Sequence, residues 1–175
     1  MSGSFNQIIG RDINGTIATF DSAWSKTPAY TIGQEIQDDD GNIYAYVKTA
    51  ENVSISVSAV VILLTAGAEA ITTTLAADNG IKCGVALAAC TAASGTTQYG
   101  WVIVYTGVQQ VTSMNVGADC EDHLSLQTSS VAGVVDDATG QVHIAGLGIG
   151  TTQISAAGAN TTAVLNRPYV EIGWA

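Results

Sequence analysis

A cysteine and a histidine stand among three carboxylates in residues 119–123 (DCEDH). Such groups can ligate a metal, and a cysteine paired with a histidine can act as a nucleophile. A catalytic cysteine also needs a base within reach and a pocket that stabilises an oxyanion. Neighbours on an extended chain point to alternate faces, so this segment is predicted to be an acidic surface loop before a strand at Leu124. An enzyme would require the loop to face Asp136 or His143 in a pocket.

A second group of oxygen ligands, in residues 38–42 (DDDGN), raises the question of a calcium loop. Hard cations bind several oxygen atoms, but an EF-hand loop also requires glycine at its sixth position. Counted from Asp40, that position is Ala45. Asp-Gly between two strand-like runs is instead a strong hairpin signal, because the glycine supplies the positive φ of the turn. We therefore predict a hairpin turn with an exposed tip.

The other polar segments of the sequence give weaker indications of a catalytic or ligand-binding site. His143 alternates with apolar neighbours and is predicted to be a surface or interface histidine, and residues 136–140 (DDATG) are typical of a turn. The glycine-rich residues 146–150 are followed by no basic residue or helix that would hold a phosphate. No nucleophile elbow, P-loop, zinc-protease or dinucleotide-binding motif occurs. We expect no enzymatic activity, no metal site and no cofactor.

Charged residues are few, and most of them are acidic. Charged residues make up 11% of the chain, against about 25% in an ordinary soluble domain. A surface this poor in charge is covered by small polar residues or is buried against other subunits. The net charge is −10, and the five basic residues are scattered singly along the sequence. Phosphate backbones are bound by clustered Lys and Arg, so we expect no nucleic-acid partner.

Cys83, Cys90 and Cys120 form an odd set without CxxC spacing. They are predicted to be buried, small apolar side chains, and free thiols fit assembly in a reducing cytoplasm. The N-terminal residues lack the basic and apolar regions of a signal peptide. The longest apolar run, residues 59–64, is too short to cross a bilayer. We expect neither export nor membrane insertion by a signal of this sequence.

From Tyr30 onward the pattern is that of β-strands. Residues 30–36 and 42–47 flank the Asp-Gly turn, residues 53–57 alternate apolar and small polar groups, and residues 60–64 are a candidate core strand. The other strand candidates are residues 71–75, 81–87, 100–105, 108–111, 124–128, 141–144, 153–154 and 164–172.

Two alanine-rich segments, residues 65–70 and 87–93, are candidates for a helical turn, but no stretch shows a sustained helical period with caps. Turn residues separate the strand candidates at short intervals, as sandwiches and barrels require. We predict an all-β fold, a compact β-barrel or β-sandwich domain over residues 30–175.

One strand candidate is rich in aromatic side chains. Strand alternation places Tyr99, Trp101, Ile103 and Tyr105 on one face. Gly100 between two large rings indicates a bend or a close backbone approach. The face suits a core strand, and as a seam between subunits Tyr99, Trp101 and Tyr105 would supply rigid anchors.

Residues 1–29 are polar and rich in Gly and Ser, with isolated large apolar side chains. Gly10 and Gly15 interrupt any regular element, and Pro28 ends the segment. Two interpretations stay open: an extended N-terminal arm that docks on another protein, or a first strand and loop of the main domain. Large apolar groups on a free tail need a burial site elsewhere. The candidate capsid-binding anchors of such an arm are Phe5, Ile8, Ile9 and Ile13.

The order of these features resembles the small decoration (cement) or structural proteins encoded in many tailed-phage head-gene clusters. The likeness covers about residues 30–170. Its most specific part is residues 84–88 (GVALA) followed by residues 99–102 (YGWV). The other parts are the opening hairpin, residues 30–47; the Val-rich strand, residues 59–63 (AVVIL); and the finish rich in Gly, Ala and Thr, from residues 132–138 to residues 164–168. The longer front segment and the 120–123 loop depart from the family pattern.

This resemblance implies a compact β domain without catalytic residues, often a homotrimer, on the outer capsid surface of a virion assembled in a bacterial cytoplasm. The implied partner is the major capsid protein, to which some family members add a strand from an N-terminal arm. Rival interpretations are a head fibre base or a tail tube subunit. A carbohydrate-binding β-sandwich is a rival from another class, with Trp24, Trp101 or Trp174 as the sugar platform.

Overall fold

The computed structural model describes residues 24–38, 40–65, 67–70, 80–91, 95–107, 112–117, 120, 126–137, 142–149 and 160–171. Within these ranges every regular element is a β-strand and there is no helix, so the predicted all-β class is confirmed. The strands are β1 (Glu35–Gln37), β2 (Ile43–Lys48), β3 (Val60–Leu63), β4 (Ala68–Ala70), β5 (Cys83–Ala86), β6 (Tyr99–Tyr105), β7 (Thr112–Asn115), β8 (Gln127–Thr128), β9 (Val135–Asp136), β10 (Ile144–Ile149) and β11 (Asn160–Val170).

The main sheet has the strand order β1-β2-β6-β5-β3-β4, with antiparallel neighbours. It curls until β4 returns to the end of β2, where Thr49 and Ala68 form a single parallel bridge. One bridge is not a continuous ladder, so the curled sheet is not a closed barrel. The contact depends on Gly67, whose φ is +149° and whose α-carbon lies against the backbone of Thr49 and Ala50. Only glycine fits that approach without strain.

The long strand β11 organises a second layer. It pairs with β10 and β7 along its length and reaches β6 through the Asn166–Tyr105 pair, while β8 and β9 form a small separate sheet. One core lies between this layer and the main sheet, and a second core lines the concave side of the main sheet. In β3, Val60 and Ile62 face the first core and Val61 the second. Strands buried on both faces are expected to be continuous apolar runs.

The opening hairpin is confirmed. Ile36 of β1 pairs with Tyr44 of β2, and Gly41 takes a φ of +85° in the turn. The Asp38 carboxylate accepts four hydrogen bonds: from the backbone N–H groups of Asp40 (3.0 Å) and Asn42 (2.8 Å), from the Asn42 amide (2.9 Å) and from the Tyr44 hydroxyl (2.8 Å). These bonds fold the turn around the Asp38 carboxylate, so the turn interpretation is supported.

Replacing Asp38 with alanine should lower the free energy of unfolding by about 3 kcal/mol, because several half-buried donors lose one shared acceptor. Urea titration of the purified chain measures the loss. Asp40→Ala is the matched control, since the Asp40 side chain is exposed at the same turn, and it should change the free energy by less than about 0.5 kcal/mol. Equal effects of the two substitutions would contradict the role assigned to Asp38.

Several predicted elements are corrected. Residues 53–57 form no regular strand: Ile55 makes one bridge to Cys90, Val57 is exposed, and positive φ values at Asn52 and Ser58 turn the chain on both sides. The alanine-rich residues 65–70 contain strand β4 instead of a helical turn, because pairing with β3 overrides the weak helix preference of alanine. Strands β7 and β9 were not predicted. The candidates at residues 71–75, 108–111 and 153–154 lie outside the described residues.

The end of the predicted arm lies on the β domain. Ser25 forms an antiparallel bridge with Tyr99 at the beginning of β6, and the Trp24 indole N–H donates to the carbonyl of Ala88 at 2.9 Å. The Trp24 ring covers Gly100, where a Cβ atom would lie 2.7 Å from its Cδ2 atom. The group that lies against Gly100 is thus a side-chain ring, where a bend or a close backbone approach was predicted, and residues 24 and 25 are attached to the domain.

Candidate functional site

The predicted capsid-binding anchors Phe5, Ile8, Ile9 and Ile13 lie outside the described residues. The aromatic strand is described in full. Its Trp101 is 6% exposed and lies under Tyr30 and beside Tyr46, at ring-centroid distances of 5.1 and 4.9 Å.

Trp101 is buried in a small cluster with Ile36 and Tyr46, as expected of a core strand. Tyr99 and Tyr105 are half-buried and Tyr30 is 38% exposed. The role of Tyr99, Trp101 and Tyr105 in a subunit interface therefore stays a prediction.

Cys120 lies next to two carboxylates. Its sulfur and one oxygen each of Asp136 and Asp137 are within 4.8 Å of one another, and Gly117 leaves room for the Asp136 carboxylate. Burial and then the charges of Asp137 and Asp136 raise the pKa of the Cys120 thiol to about 11. A protonated, buried thiol is the opposite of an activated nucleophile.

The 119–123 loop was expected at the surface, yet Cys120 is completely buried. Cys120 is therefore buried like a small apolar side chain, as predicted for all three cysteines. Cys83 and Cys90 are also buried, and all three thiols are free. The three ligand atoms of this cluster fall short of the four that a structural zinc site uses. The other residues of the loop lie outside the described ranges.

His143 does not join this cluster among the described residues. Its Nδ1 atom lies 2.6 Å from Oε2 of Glu171, and both side chains are about one-third exposed. A half-exposed histidine paired with a carboxylate agrees with the predicted surface position.

A cavity of about 530 Å³ opens on the concave side of the main sheet. Its walls are largely apolar and come from β2, β6, β3 and β4, with Val47, Val104, Leu63 and Ala68 as examples. We call it the β2–β4 cavity. Ile32 and Tyr169 also line it and are 50% and 44% exposed, which marks the side that is open to solvent. The size falls in the range of about 300–1,000 Å³ typical of small-molecule sites.

A bulge in β11 borders this cavity. Ala145 pairs with Tyr169 and Leu147 with Leu165, so the single residue Gly146 faces three residues of β11. Arg167, in the middle of the three, has a φ of +49°, which is rare for a residue with a side chain. Bulges of this kind redirect side chains, often beside functional sites.

The bulge directs Arg167 across the cavity to Glu35 on β1. Two parallel hydrogen bonds join the guanidinium to the carboxylate, at 3.1 and 2.9 Å. Hydrogen bonding to Glu35 raises the pKa of Arg167 above its ordinary value, so the side chain remains charged. The pair connects the first strand of the main sheet to the second layer, at the border of the cavity.

Three of the five basic residues of the chain line the cavity: Lys48, Lys82 and Arg167. Lys82 pairs with Tyr169 and precedes Cys83, whose side chain faces the core between the layers. Alternation therefore turns Lys82 away from that core, and it is exposed. Within the described ranges, neither Lys48 nor Lys82 forms an ion pair.

Sequence reasoning missed this cluster because its members are far apart in the sequence and were counted as scattered cations. One local signal was available. A proline inside a strand candidate marks an edge or a bulge, and Pro168 follows Arg167 directly.

Comparisons of this chain with protein-family models, with curated proteins and with solved structures find no match. In the part of the chain that the structure describes, no helix is long and apolar enough to span a membrane.

Proposed function

We propose that this chain is a capsid decoration protein that binds the outer surface of a tailed-phage head and stabilises it. The observation that carries the proposal is the attachment of Trp24 and Ser25 to the β domain. It places the end of the predicted arm on the domain, and the sequence before that end contains the large apolar side chains Phe5, Ile8, Ile9 and Ile13. An arm with a fixed origin is suited to strand addition or pocket insertion on a neighbouring protein.

The body of the protein suits a structural role. Strands β3, β5 and β6 are buried on both faces, and the three thiols are buried and free. Burial raises the pKa of each thiol, so none is prepared for nucleophilic chemistry. Scarce surface charge fits a protein that is largely covered by other subunits, and the net charge of −10 favours the outside of the shell over contact with packaged DNA.

Two of the three tryptophans proposed as a sugar platform are not available as open rings, which weakens the carbohydrate-binding alternative. Trp101 is buried under Tyr30, and Trp24 covers Gly100 instead of facing solvent with a free ring. The third, Trp174, lies outside the described residues. A sugar platform needs a flat, open aromatic face, so the decoration role is the better supported one.

The mechanism would be physical. A protein that binds only the assembled shell stabilises it by mass action. If three copies associate, three arms act together through a high effective concentration, so each contact can be modest. We place Phe5, Ile8, Ile9 and Ile13 in those contacts with the major capsid protein.

Heads assembled from the major capsid protein of the same genome test this proposal. The full chain should sediment with expanded heads, and deletion of residues 2–22, which keeps Trp24 and Ser25, should reduce its occupancy at least about tenfold. Val131→Ser is the control, because it removes an exposed apolar side chain of the β domain and leaves the arm intact. Absence of the full chain from the heads would refute the proposed function. Equal occupancy of the truncated chain would refute the role of the arm.

A further inference from the structure

We infer that the β2–β4 cavity is a binding site for an anionic amphiphile, a medium-length apolar chain that ends in a carboxylate. The apolar walls would take the chain, and the basic residues at the border would take the head group. The inference does not depend on the capsid proposal, because it concerns the isolated chain in solution.

The cavity walls favour an apolar chain. Small and branched side chains from four strands leave a space of about 530 Å³ on the concave side of the sheet. Ligand sites are usually concave and mostly apolar, with a few placed polar groups that fix the orientation of the ligand. The exposed Ile32 and Tyr169 extend the apolar surface to the open side.

The charge at the border favours an anion. Acidic residues outnumber basic ones by 15 to five in the whole chain, yet among the described residues the charged ones that line the cavity are Lys48, Lys82, Arg167 and Glu35. Glu35 is engaged by both terminal nitrogens of Arg167, and the two lysines form no ion pair within the described ranges. Lys48 follows Val47 and pairs with Tyr99, so alternation turns its side chain to the aromatic face, away from the Val47 wall. Lys82 is therefore the cation without an ion pair in the described ranges that lies beside the apolar space, and it is complementary to a carboxylate on an apolar chain.

The bulge in β11 supports the presence of a preorganised binding site. Arg167 is held at a positive φ by the three-to-one register with β10, and its forked bond to Glu35 orients it over the cavity. Unusual backbone conformations persist where the surroundings enforce them, and ligand clamps are among the places where they concentrate. We assign Arg167 to positioning and Lys82 to the head group.

Calorimetric titration of the full chain with decanoate, below its micelle concentration, tests the inference. Decanoate should bind saturably with one molecule per chain. Octanoate should bind about fifteenfold more weakly, because it lacks two methylenes and each buried methylene contributes about fourfold in affinity. Decyltrimethylammonium, which has the same chain and the opposite charge, should bind at least about tenfold more weakly than decanoate.

Two charge reversals locate the site. Lys82→Glu should weaken decanoate binding at least about tenfold. Lys26→Glu makes the same change in net charge at an exposed lysine that does not line the cavity, and it should leave the affinity within about twofold. If Lys82→Glu fails to fold, Lys82→Gln replaces it, with circular dichroism as the check on folding.

The outcomes are distinct. Saturable binding that depends on chain length and is weakened by Lys82→Glu alone supports the site. Absence of heat with decanoate at both about 15 °C and about 35 °C overturns the inference, because burial of an apolar chain changes the heat capacity and cannot be without heat at two temperatures. Equal binding of decyltrimethylammonium, or equal losses in the Lys26 and Lys82 variants, indicates adsorption without a site and overturns it too.

Discussion

Gly67→Ala is expected to destabilise the protein by at least about 3 kcal/mol. A methyl group at this position would overlap the backbone of Thr49 and Ala50, and neither strand end can move without breaking the Thr49–Ala68 bridge. The φ of +149° adds strain, because side chains rarely adopt it. Since this contact returns β4 to β2, its loss should also open the β2–β4 cavity. Urea unfolding measures the stability.

Gly80→Ala separates the two causes of that loss. Gly80 has a φ of +81°, but a Cβ atom there would meet nothing within 4 Å. It therefore reports the cost of the backbone conformation alone, which is about 1 kcal/mol. If Gly67→Ala costs no more than Gly80→Ala, the close return of β4 is not part of the folded protein in solution.

A large loss of stability is also expected at alkaline pH. Burial raises the pKa of the Cys83 thiol from 9.0 to about 12, and burial with the charges of Asp137 and Asp136 raises that of Cys120 to about 11. Burial and the hydrogen bond to Asp38 raise the pKa of Tyr44 above its usual value of 10.0. In each case the unfolded chain releases its proton first as the pH rises. The stability is therefore complete below about pH 9 and is lost from there upward.

Each such group contributes a slope of at most about 1.4 kcal/mol per pH unit. Urea midpoints at a series of pH values from about 8 to 11, with a reductant present, measure the sum. A Cys83→Ala, Cys120→Ala double variant should show a shallower decline, because it lacks two of the groups. At pH 8 the native thiols should react with a thiol reagent only upon unfolding. Parallel declines in the two proteins would contradict the assigned cause.

The sequence predicted the parts of the fold that depend on local pattern. The Asp-Gly turn predicted a hairpin at Gly41, and the apolar runs predicted strands where β3, β5 and β6 are found. The small β4 was missed because alanine gives no clear period and its strand character comes from pairing with β3. Strands β7 and β9 were missed because they are too short to show a period, and packing fixes them: Met114 and Val135 are buried in the core.

The candidate site could not be predicted from the sequence as well as the fold could. Glu35, Lys82 and Arg167 come from three distant segments, and the curl of the sheet and the bulge in β11 bring them to one cavity. A bulge depends on the register of two strands, which no local pattern specifies. Cys120 illustrates the same limit, since its approach to Asp136 depends on how β9 packs.

Cryo-electron microscopy of heads that carry this chain, compared with heads that lack it, tests the central claim most directly. We expect additional density on the outer surface at local threefold positions, with the shape of the curled β body and a link to the capsid protein near Trp24. Identical outer surfaces of the two kinds of head, or density of the chain in rings around a lumen in the tail, would contradict the decoration role.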